Sequence, residues 1–166
     1  MASTSRIIIR KDALVNNVGF LQSLVKDGTV ISAVIKGNAY GHGTQVVVQT
    51  LEELGINHFS VFSSPEAKDA FRHKSPDSTI MIMGYVDERD LEWIISHDVE
   101  FYVSDPLQLD QALSKAKSLK KDAKIHLDIE TGMNRTGLTL RQLKNAMELL
   151  RQNREYLTVK GATSHF

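Results

Sequence analysis

The chain has 166 residues, of which 20 are basic and 20 acidic, and it has no cysteine. That length supports one domain with its own core, and the balanced charge provides no broad positive field for nucleic acid or an anionic membrane. The absence of cysteine excludes a disulfide framework and a thiolate metal site. The sequence shows no signal-like start and no apolar run of membrane-spanning length. We therefore expect one domain over residues 1–166 in a cytoplasmic protein.

Helix and strand patterns alternate along the chain. Apolar residues recur at helical spacing from Asp12 to Val25, and Gly28 ends this pattern. Residues 30–35 form a short apolar run rich in β-branched side chains, which predicts a strand buried on both faces. The same reasoning predicts further strands over residues 58–62, 79–83, 100–103, 124–129 and 157–163. Helices are predicted over residues 44–54, from 64, over 87–96, from 106 to about 120 and over 139–150.

This alternation predicts right-handed βαβ units in a parallel α/β sheet, either doubly wound or of the (β/α)8 TIM-barrel type. A doubly wound nucleotide-binding sheet would be favoured by a Gly-x-Gly-x-x-Gly motif after the first strand and an acidic residue after the second. The glycines between Gly37 and Gly43 have a different spacing, and the second strand runs into Phe62-Ser63-Ser64. The sequence therefore favours the barrel. Because a closed barrel needs eight βα units and about 250 residues, we expect an incomplete barrel with about six units.

The first candidate functional residue is Lys36, which ends the predicted first strand. Alternation places it on the same face as Ser32 and Val34, at the edge where barrel enzymes keep their active sites. A partly desolvated lysine amine is a nucleophile that forms Schiff bases with carbonyl cofactors. From position alone, the favoured interpretation is the simpler one, a charged residue where a strand meets solvent. The glycines that follow permit tight turning around Tyr40, although a glycine-rich turn is common.

Two later groups also carry ionisable side chains. His126, Asp128 and Glu130 share one face of the fifth predicted strand, so they either line a polar cavity or meet water on an exposed edge. Arg135 follows after a turn and could clamp an anion through two hydrogen bonds. His165 ends the sixth strand, where a lone histidine is more often structural. These groups and the lysine lie at carboxyl ends of strands, which converge on one rim in a barrel.

Three segments resemble motifs of one enzyme family, in the same order. The segment AVIKGNAYGHG (33–43) resembles the cofactor-lysine motif of alanine racemases, while TGMNRTG (131–137) and SHF (164–166) resemble that family's later motifs. The resemblance implies the N-terminal pyridoxal-phosphate-binding barrel portion of a fold-type III enzyme. It also implies an isomerase that interconverts L- and D-alanine for peptidoglycan precursors, acts in the cytoplasm as a homodimer and needs no metal.

The resemblance also implies roles for individual residues. Lys36 would bond pyridoxal 5′-phosphate as a Schiff base and act as the base on the D-alanine side. Tyr40 would lie beside the phosphate, and His165 against or beside the pyridine ring. Arg135 would hold the cofactor's phenolic oxygen and the substrate carboxylate.

The chain departs from the family pattern at one position. The commonest pattern has a lysine, often carbamylated, seven residues before the arginine, whereas this chain has Asp128 there. We hypothesise that Asp128 supplies the negative charge for Arg135 directly, with a water or a backbone shift making up for its shorter side chain. The family also has two further strands and a β-rich C-terminal domain, which contributes a second catalytic base to its partner. We therefore expect residues 1–166 to be inactive as a racemase unless the remainder is supplied.

Several alternatives share the cofactor or the fold. A broad-specificity amino-acid racemase would keep all three motifs, whereas decarboxylases with a first-strand lysine usually lack the Tyr-Gly-His-Gly continuation. A non-catalytic pyridoxal-phosphate-binding or carrier protein of similar barrel fold, or a structural α/β module, would have no turnover at all.

Overall fold

The computed structural model describes residues 7–165 as one parallel sheet with helices on one face. The strands are β1 (Ser32–Val34), β2 (His58–Val61), β3 (Thr79–Ile82), β4 (Glu100–Val103), β5 (Ala123–Asp128) and β6 (Leu157–Thr163). The helices are α1 (Lys11–Leu24), α2 (Thr44–Glu53), α3 (Ser64–Phe71), α4 (Leu91–Ser96), α5 (Pro106–Leu119) and α6 (Leu140–Gln152), with a 3₁₀ helix at Glu88–Asp90. None of the helices within this described range has the length and apolar character of a membrane span.

The strands lie in the sheet in their chain order, and every neighbouring pair is parallel. A doubly wound sheet reverses its strand order at a switch point, whereas a barrel adds strands in sequence. The barrel-type α/β fold predicted from the sequence is therefore confirmed. The sheet is open, with β1 and β6 at its two edges.

The apolar core lies between the sheet and the helices. Alternate side chains of the strands point to this side and are almost fully buried, among them Phe59, Val61, Ile80, Ile82, Phe101, Val103 and Ile125. The opposite, inner face of the sheet carries polar groups, including Ser32, His58, Glu100 and His126. Each strand therefore contributes one face to the core and one face to a polar interior, as barrel strands do.

The first strand differs from its prediction. It covers only Ser32–Val34, and Val34 is 41% exposed instead of buried. The helices cover only the outer face, so the inner face of this edge strand stays open. Alternation also ends before Lys36, because Ile35 has left the extended conformation (φ −120°, ψ 21°).

Helix N-caps lie a few residues after the ends of β2 and β4, which keeps these connections short. In α3 the Ser63 side chain and Glu66 form a capping box, with Pro65 in the first turn. In α5 the side chain of Asp105 accepts a hydrogen bond from the backbone N–H of Gln108 at 2.9 Å. Because these helices begin within a few residues of β2 and β4, the carboxyl ends of the strands stay at one edge of the sheet.

Candidate functional site

Lys36 opens a left-handed turn at the carboxyl end of β1. The four residues that follow it, Gly37 to Tyr40, have φ angles of 61°, 53°, 52° and 54°. Residues with side chains avoid this region at a cost of roughly 1–2 kcal/mol each. Backbone hydrogen bonds close the turn, from the Ala39 N–H to the Ile35 oxygen at 2.9 Å and from the Gly41 N–H to the Gly37 oxygen at 2.9 Å. Strain of this kind concentrates at functional sites and persists only where the surroundings enforce it.

Side chains from two helices enforce this turn. The side-chain oxygen of Asn38 accepts hydrogen bonds from the backbone N–H and the hydroxyl of Thr44, at 2.8 and 3.2 Å, at the start of α2. The Glu66 carboxylate accepts one from the Gly37 N–H at 2.8 Å, and Ala39 is buried. The segment that the sequence predicted only as a turn is therefore a fixed structure.

The turn presents two of the predicted site residues at the rim. Lys36 is partly buried, and its amine forms no ion pair or hydrogen bond with any residue between 7 and 165. Within that range the lysine is thus not committed to a structural ion pair. The Tyr40 side chain is 63% exposed, so its phenol remains accessible to a ligand.

The second motif forms a loop at the end of β5. The backbone N–H of Leu138 donates to the Asp128 oxygen at 2.7 Å, which brings the two ends of the loop together. Between them the Glu130 carboxylate accepts hydrogen bonds from backbone N–H groups of the loop, that of Gly132 among them. These bonds, chiefly that from Asn134, lower the pKa of Glu130 below its ordinary value. The loop that carries Arg135 is therefore folded around the carboxylate of Glu130.

A contact between hydroxyl groups joins this loop to the third motif. Thr131 and Ser164 are hydrogen-bonded through their side chains. His165 follows at the exposed end of β6, while Phe166 lies outside the described residues. Because β5 and β6 are neighbours, the structure brings the Arg135 loop and His165 together. Lys36 and Tyr40 lie at the same carboxyl edge but at β1, the other side of the open sheet.

Asp128 does not directly contact Arg135. The aspartate is 8% exposed, the arginine is exposed, and no ion pair or hydrogen bond joins them in the described part of the chain. The charge interaction between these two residues stays a prediction that needs a bridging water or a change in the loop.

A polar cluster lies deeper on the inner face of the sheet. The Glu100 carboxylate lies 2.6 Å from Nε2 of His126 and 3.6 Å from the Lys160 amine. His58 lies 3.7 Å from the same carboxylate and hydrogen-bonds at 2.7 Å to the Ser32 hydroxyl. Glu100 on β4 thus reaches His58 on β2 and Lys160 on β6, each two strands away in the sheet. Side chains that far apart meet only if the sheet is concave on this side. Of the two interpretations of the ionisable face of β5, the cavity therefore holds for His126, whereas Glu130 lies in the loop after the strand.

Glu100 is a residue that the sequence reasoning missed. A charged residue that opens an apolar strand, Glu100-Phe101-Tyr102-Val103, was the available signal. Burial opposes ionisation, but contacts with His126 and His58 and the charge of Lys160 outweigh it, so the pKa of Glu100 lies well below its ordinary value. Among the described side chains, no group of three or more histidine, aspartate or glutamate residues is arranged to hold a metal ion.

The side chains at the carboxyl edge of the sheet are of the types that a carbonyl-bearing, anionic aromatic ligand requires. An amine at Lys36 can bond a carbonyl carbon, and a guanidinium at Arg135 can bind an anionic oxygen through two hydrogen bonds. The phenol of Tyr40 can donate to a phosphate oxygen, and the imidazole of His165 can stack on an aromatic ring. This combination of donors suits a phosphorylated aldehyde cofactor better than a metal ion.

Comparisons with known proteins agree with this chemistry. The family model "Alanine racemase, N-terminal domain" matches residues 9–166. Alanine racemase 1 of Caldanaerobacter subterraneus subsp. tengcongensis is 33% identical over 162 residues, covering 98% of this chain and 42% of that protein. The alanine racemase of Ligilactobacillus salivarius is 32% identical over 163 residues, covering 98% of this chain and 44% of that protein.

The solved structures show the same fold. The crystal structure of alanine racemase from E. faecalis superposes with a TM-score of 0.84 at 26% identity, over 95% of this chain and 43% of that one. The chain thus spans 42–44% of the length of the relatives named here. The resemblance first drawn from three motifs is confirmed, and this chain belongs to the alanine racemase N-terminal domain family.

Proposed function

We propose that residues 1–166 form the cofactor-binding barrel portion of a racemase that interconverts L- and D-alanine. Enzymes of this family are isomerases that depend on pyridoxal 5′-phosphate. The observation that supports the proposal best is the position of Lys36. It opens a strained, enforced turn at the carboxyl edge of the sheet, and its amine forms no ion pair within residues 7–165.

Four residues of this chain would hold the cofactor. Lys36 supplies the amine that bonds the aldehyde carbon, Tyr40 a hydroxyl for the phosphate, and His165 a ring to lie against the pyridine. Arg135 supplies a guanidinium for the phenolic oxygen and for the substrate carboxylate. When bound, the cofactor delocalises the electron pair left on Cα after its proton is removed.

The residues of the chain then carry the acid–base work. Once the amine of a bound amino acid has replaced it on the aldehyde carbon, the Lys36 amine would be free to remove or return the Cα proton on the D-alanine side, holding it at Nζ between the two events. Arg135 orients the substrate carboxylate, so that one face of Cα meets the lysine. Asp128 contributes negative charge near that arginine, through a water or after the loop adjusts. Inversion needs a second base on the opposite face, which the family resemblance assigns outside residues 1–166.

Finer parts of the proposal rest on the family alone. Alanine is the proposed substrate because the named relatives in C. subterraneus and L. salivarius are alanine racemases. A homodimer of the whole protein, a cytoplasmic location and a role in supplying D-alanine for peptidoglycan precursors belong to the same proposal. A broader amino-acid preference would show as turnover of other amino acids at comparable rates.

Covalent trapping tests the cofactor site directly. The chain is incubated with pyridoxal 5′-phosphate, reduced with borohydride and digested, and the labelled lysine is identified by mass spectrometry. We expect the label on Lys36 and its loss in Lys36→Arg, which keeps a positive charge but cannot form a Schiff base at neutral pH. Label on a different lysine in the wild-type chain would contradict the assignment.

Lys160→Arg is the matched control, because Lys160 is a second lysine on the inner face of the sheet. This variant should keep the label on Lys36. A separate, unreduced sample of the chain with pyridoxal 5′-phosphate is assayed for interconversion of D- and L-alanine, because reduction fixes the cofactor to the lysine as a stable amine that cannot turn over. We expect label without turnover from residues 1–166 alone, and turnover only when the remaining part of a racemase is supplied. If label forms but turnover stays absent in the complete protein as well, a non-catalytic cofactor-binding role replaces the racemase proposal.

A further inference from the structure

The side chain of Glu66 links the ends of β1 and β2. One carboxylate oxygen accepts the backbone N–H of Gly37 at 2.8 Å, directly after Lys36. The other accepts the N–H groups of Phe62 at 2.8 Å and Ser63 at 3.2 Å, directly after β2. A single carboxylate therefore receives three backbone donors from two neighbouring strand ends.

These bonds do more than cap a helix. The bond to Ser63 belongs to the capping box of α3, which needs only residues of that helix and its cap. The bond to Gly37 crosses 29 positions in sequence and belongs to no helix. It satisfies an N–H at the start of the left-handed turn, where the strained backbone has few partners of its own.

The electrostatics of Glu66 agree with this geometry. Burial opposes ionisation, but the hydrogen bonds from Gly37, Phe62 and Ser63 outweigh it, so the pKa of Glu66 lies below its ordinary value. The side chain is therefore an anion at neutral pH, and its hydrogen bonds to the backbone are of the stronger, charge-assisted kind.

We propose that Glu66 is a positioning residue for Lys36, because its carboxylate holds the Gly37 amide and thereby the turn that sets where the lysine amine lies. This inference rests on the proposed function of Lys36 as the cofactor lysine. A residue that opens an enforced turn points its side chain in one direction only as long as that turn keeps its conformation. Glu66 reaches this turn from α3 and also binds the backbone at the end of β2, so it couples the position of the lysine to that neighbouring strand end.

Three substitutions separate the possible roles of this side chain. Glu66→Asp keeps a carboxylate in the first turn of α3, where negative charge is favourable, but shortens the reach to Gly37. Glu66→Gln keeps the length and loses the charge, and Glu66→Ala loses both. The matched control is Glu52→Ala. Glu52 also accepts a hydrogen bond from a backbone N–H, that of Ser75 at 2.7 Å. Ser75 precedes β3, so this contact lies away from the carboxyl ends of the strands.

The first measurement is amide hydrogen exchange by NMR without any cofactor. In Glu66→Asp and Glu66→Ala, the Gly37 amide should exchange about tenfold faster or more, as expected for the loss of a charge-assisted hydrogen bond. The Ala67 amide, which donates to the Ser63 oxygen at 2.9 Å, reports on α3 and should be unchanged in Glu66→Asp. Glu66→Gln should lie between the wild-type chain and Glu66→Ala.

The second measurement is the rate at which acetic anhydride acetylates Lys36, followed against pH and normalised to Lys160. A role limited to stability would leave this profile unchanged as long as the variant stays folded. We expect the Lys36 profile to shift in Glu66→Asp and Glu66→Ala and to remain at its wild-type position in Glu52→Ala.

The positioning role is overturned if Gly37 exchange and the Lys36 profile in Glu66→Asp and Glu66→Ala match those of Glu52→Ala. Trapping with pyridoxal 5′-phosphate and borohydride is run in parallel on the wild-type chain. If trapping misses Lys36 while the Glu66 variants still shift its profile, the proposed function fails and the positioning role stands. If trapping labels Lys36 equally in the wild-type chain and in Glu66→Asp, with no change in the profile, the positioning role fails and the proposed function stands.

Discussion

The carboxylate of Glu100 lies 2.6 Å from Nε2 of His126, on the inner face of the sheet. Its side chain is 6% exposed and also lies within 3.7 Å of His58 and 3.6 Å of Lys160. One anion therefore joins side chains from β2, β4, β5 and β6. We infer that this cluster holds the curvature of the open sheet beneath the candidate site.

Removal of this anion should destabilise the chain. Glu100→Ala leaves the histidines and Lys160 without their partner in a partly desolvated place, which we expect to cost about 3 kcal/mol. Asp98→Ala is the control, because Asp98 also pairs with two cations, Lys121 and Lys124, but near the surface, where the expected cost is about 1 kcal/mol or less. Urea unfolding followed by the fluorescence of Trp93, the single tryptophan, measures both. Equal losses in the two variants would contradict the buried role of Glu100.

The same carboxylate should shape stability at acid pH. Because the pKa of Glu100 in the folded chain lies below its ordinary value of 4.5, its contribution is present above about pH 4.5 and is lost as the pH falls further. Glu100→Gln has no such group to protonate. The free energy of unfolding should therefore fall less steeply below that pH in the variant than in the wild-type chain. If the free energy of unfolding falls with the same slope below that pH in both chains, Glu100 does not contribute.

Two glycines in the Arg135 loop offer a test of close packing. Gly132 and Gly137 have φ angles of 122° and 120°, so alanine is strained at both. A Cβ at Gly132 meets nothing within 4 Å, whereas at Gly137 it would lie 2.6 Å from the backbone nitrogen of Glu130. Gly137→Ala should therefore cost about 1–3 kcal/mol more than Gly132→Ala, measured by urea unfolding. The opposite order would mean that the loop relaxes freely.

Tyr40 should show a conflict between stability and function. It lies in the left-handed region with φ 54° and is largely exposed, so glycine would relieve strain while little burial is lost. We expect Tyr40→Gly to raise the free energy of unfolding by up to about 1 kcal/mol and to weaken trapping of pyridoxal 5′-phosphate. Tyr85→Gly, also at an exposed tyrosine but without a positive φ, should not stabilise the chain. Destabilisation by Tyr40→Gly would contradict the strain argument.

Asp128 should influence the cofactor through Arg135. Asp128→Ala is expected to weaken binding of pyridoxal 5′-phosphate by up to about tenfold, the effect of one lost charged interaction of modest strength. Asp122→Ala is the control, because Asp122 lies at the other end of the same strand and pairs with Thr158 at 2.8 Å. Binding is followed by titration of the cofactor. Unchanged affinity in Asp128→Ala would remove the aspartate from the site.

The sequence by itself determined the order of strands and helices, because periodicity and caps are local. The boundary at Ser63, Pro65 and Glu66 is an example, since the capping box needs only residues within one helical turn. The motif around Lys36 and its family resemblance were also readable, because they consist of residue types at short spacing. Those local signals were sufficient to predict an open sheet of barrel type and a lysine at its rim.

Only the tertiary structure decided how the rim is held. The left-handed turn after Lys36 is unfavourable by local preference, and contacts from α2 and α3 enforce it. The bond between Glu66 and Gly37 spans 29 positions, and that between Glu100 and His126 spans 26. Groups so far apart in sequence become partners only when the sheet places neighbouring parallel strands, with the helices that follow them, side by side. That is why periodicity and motifs revealed the lysine but not the carboxylates of Glu66 and Glu100.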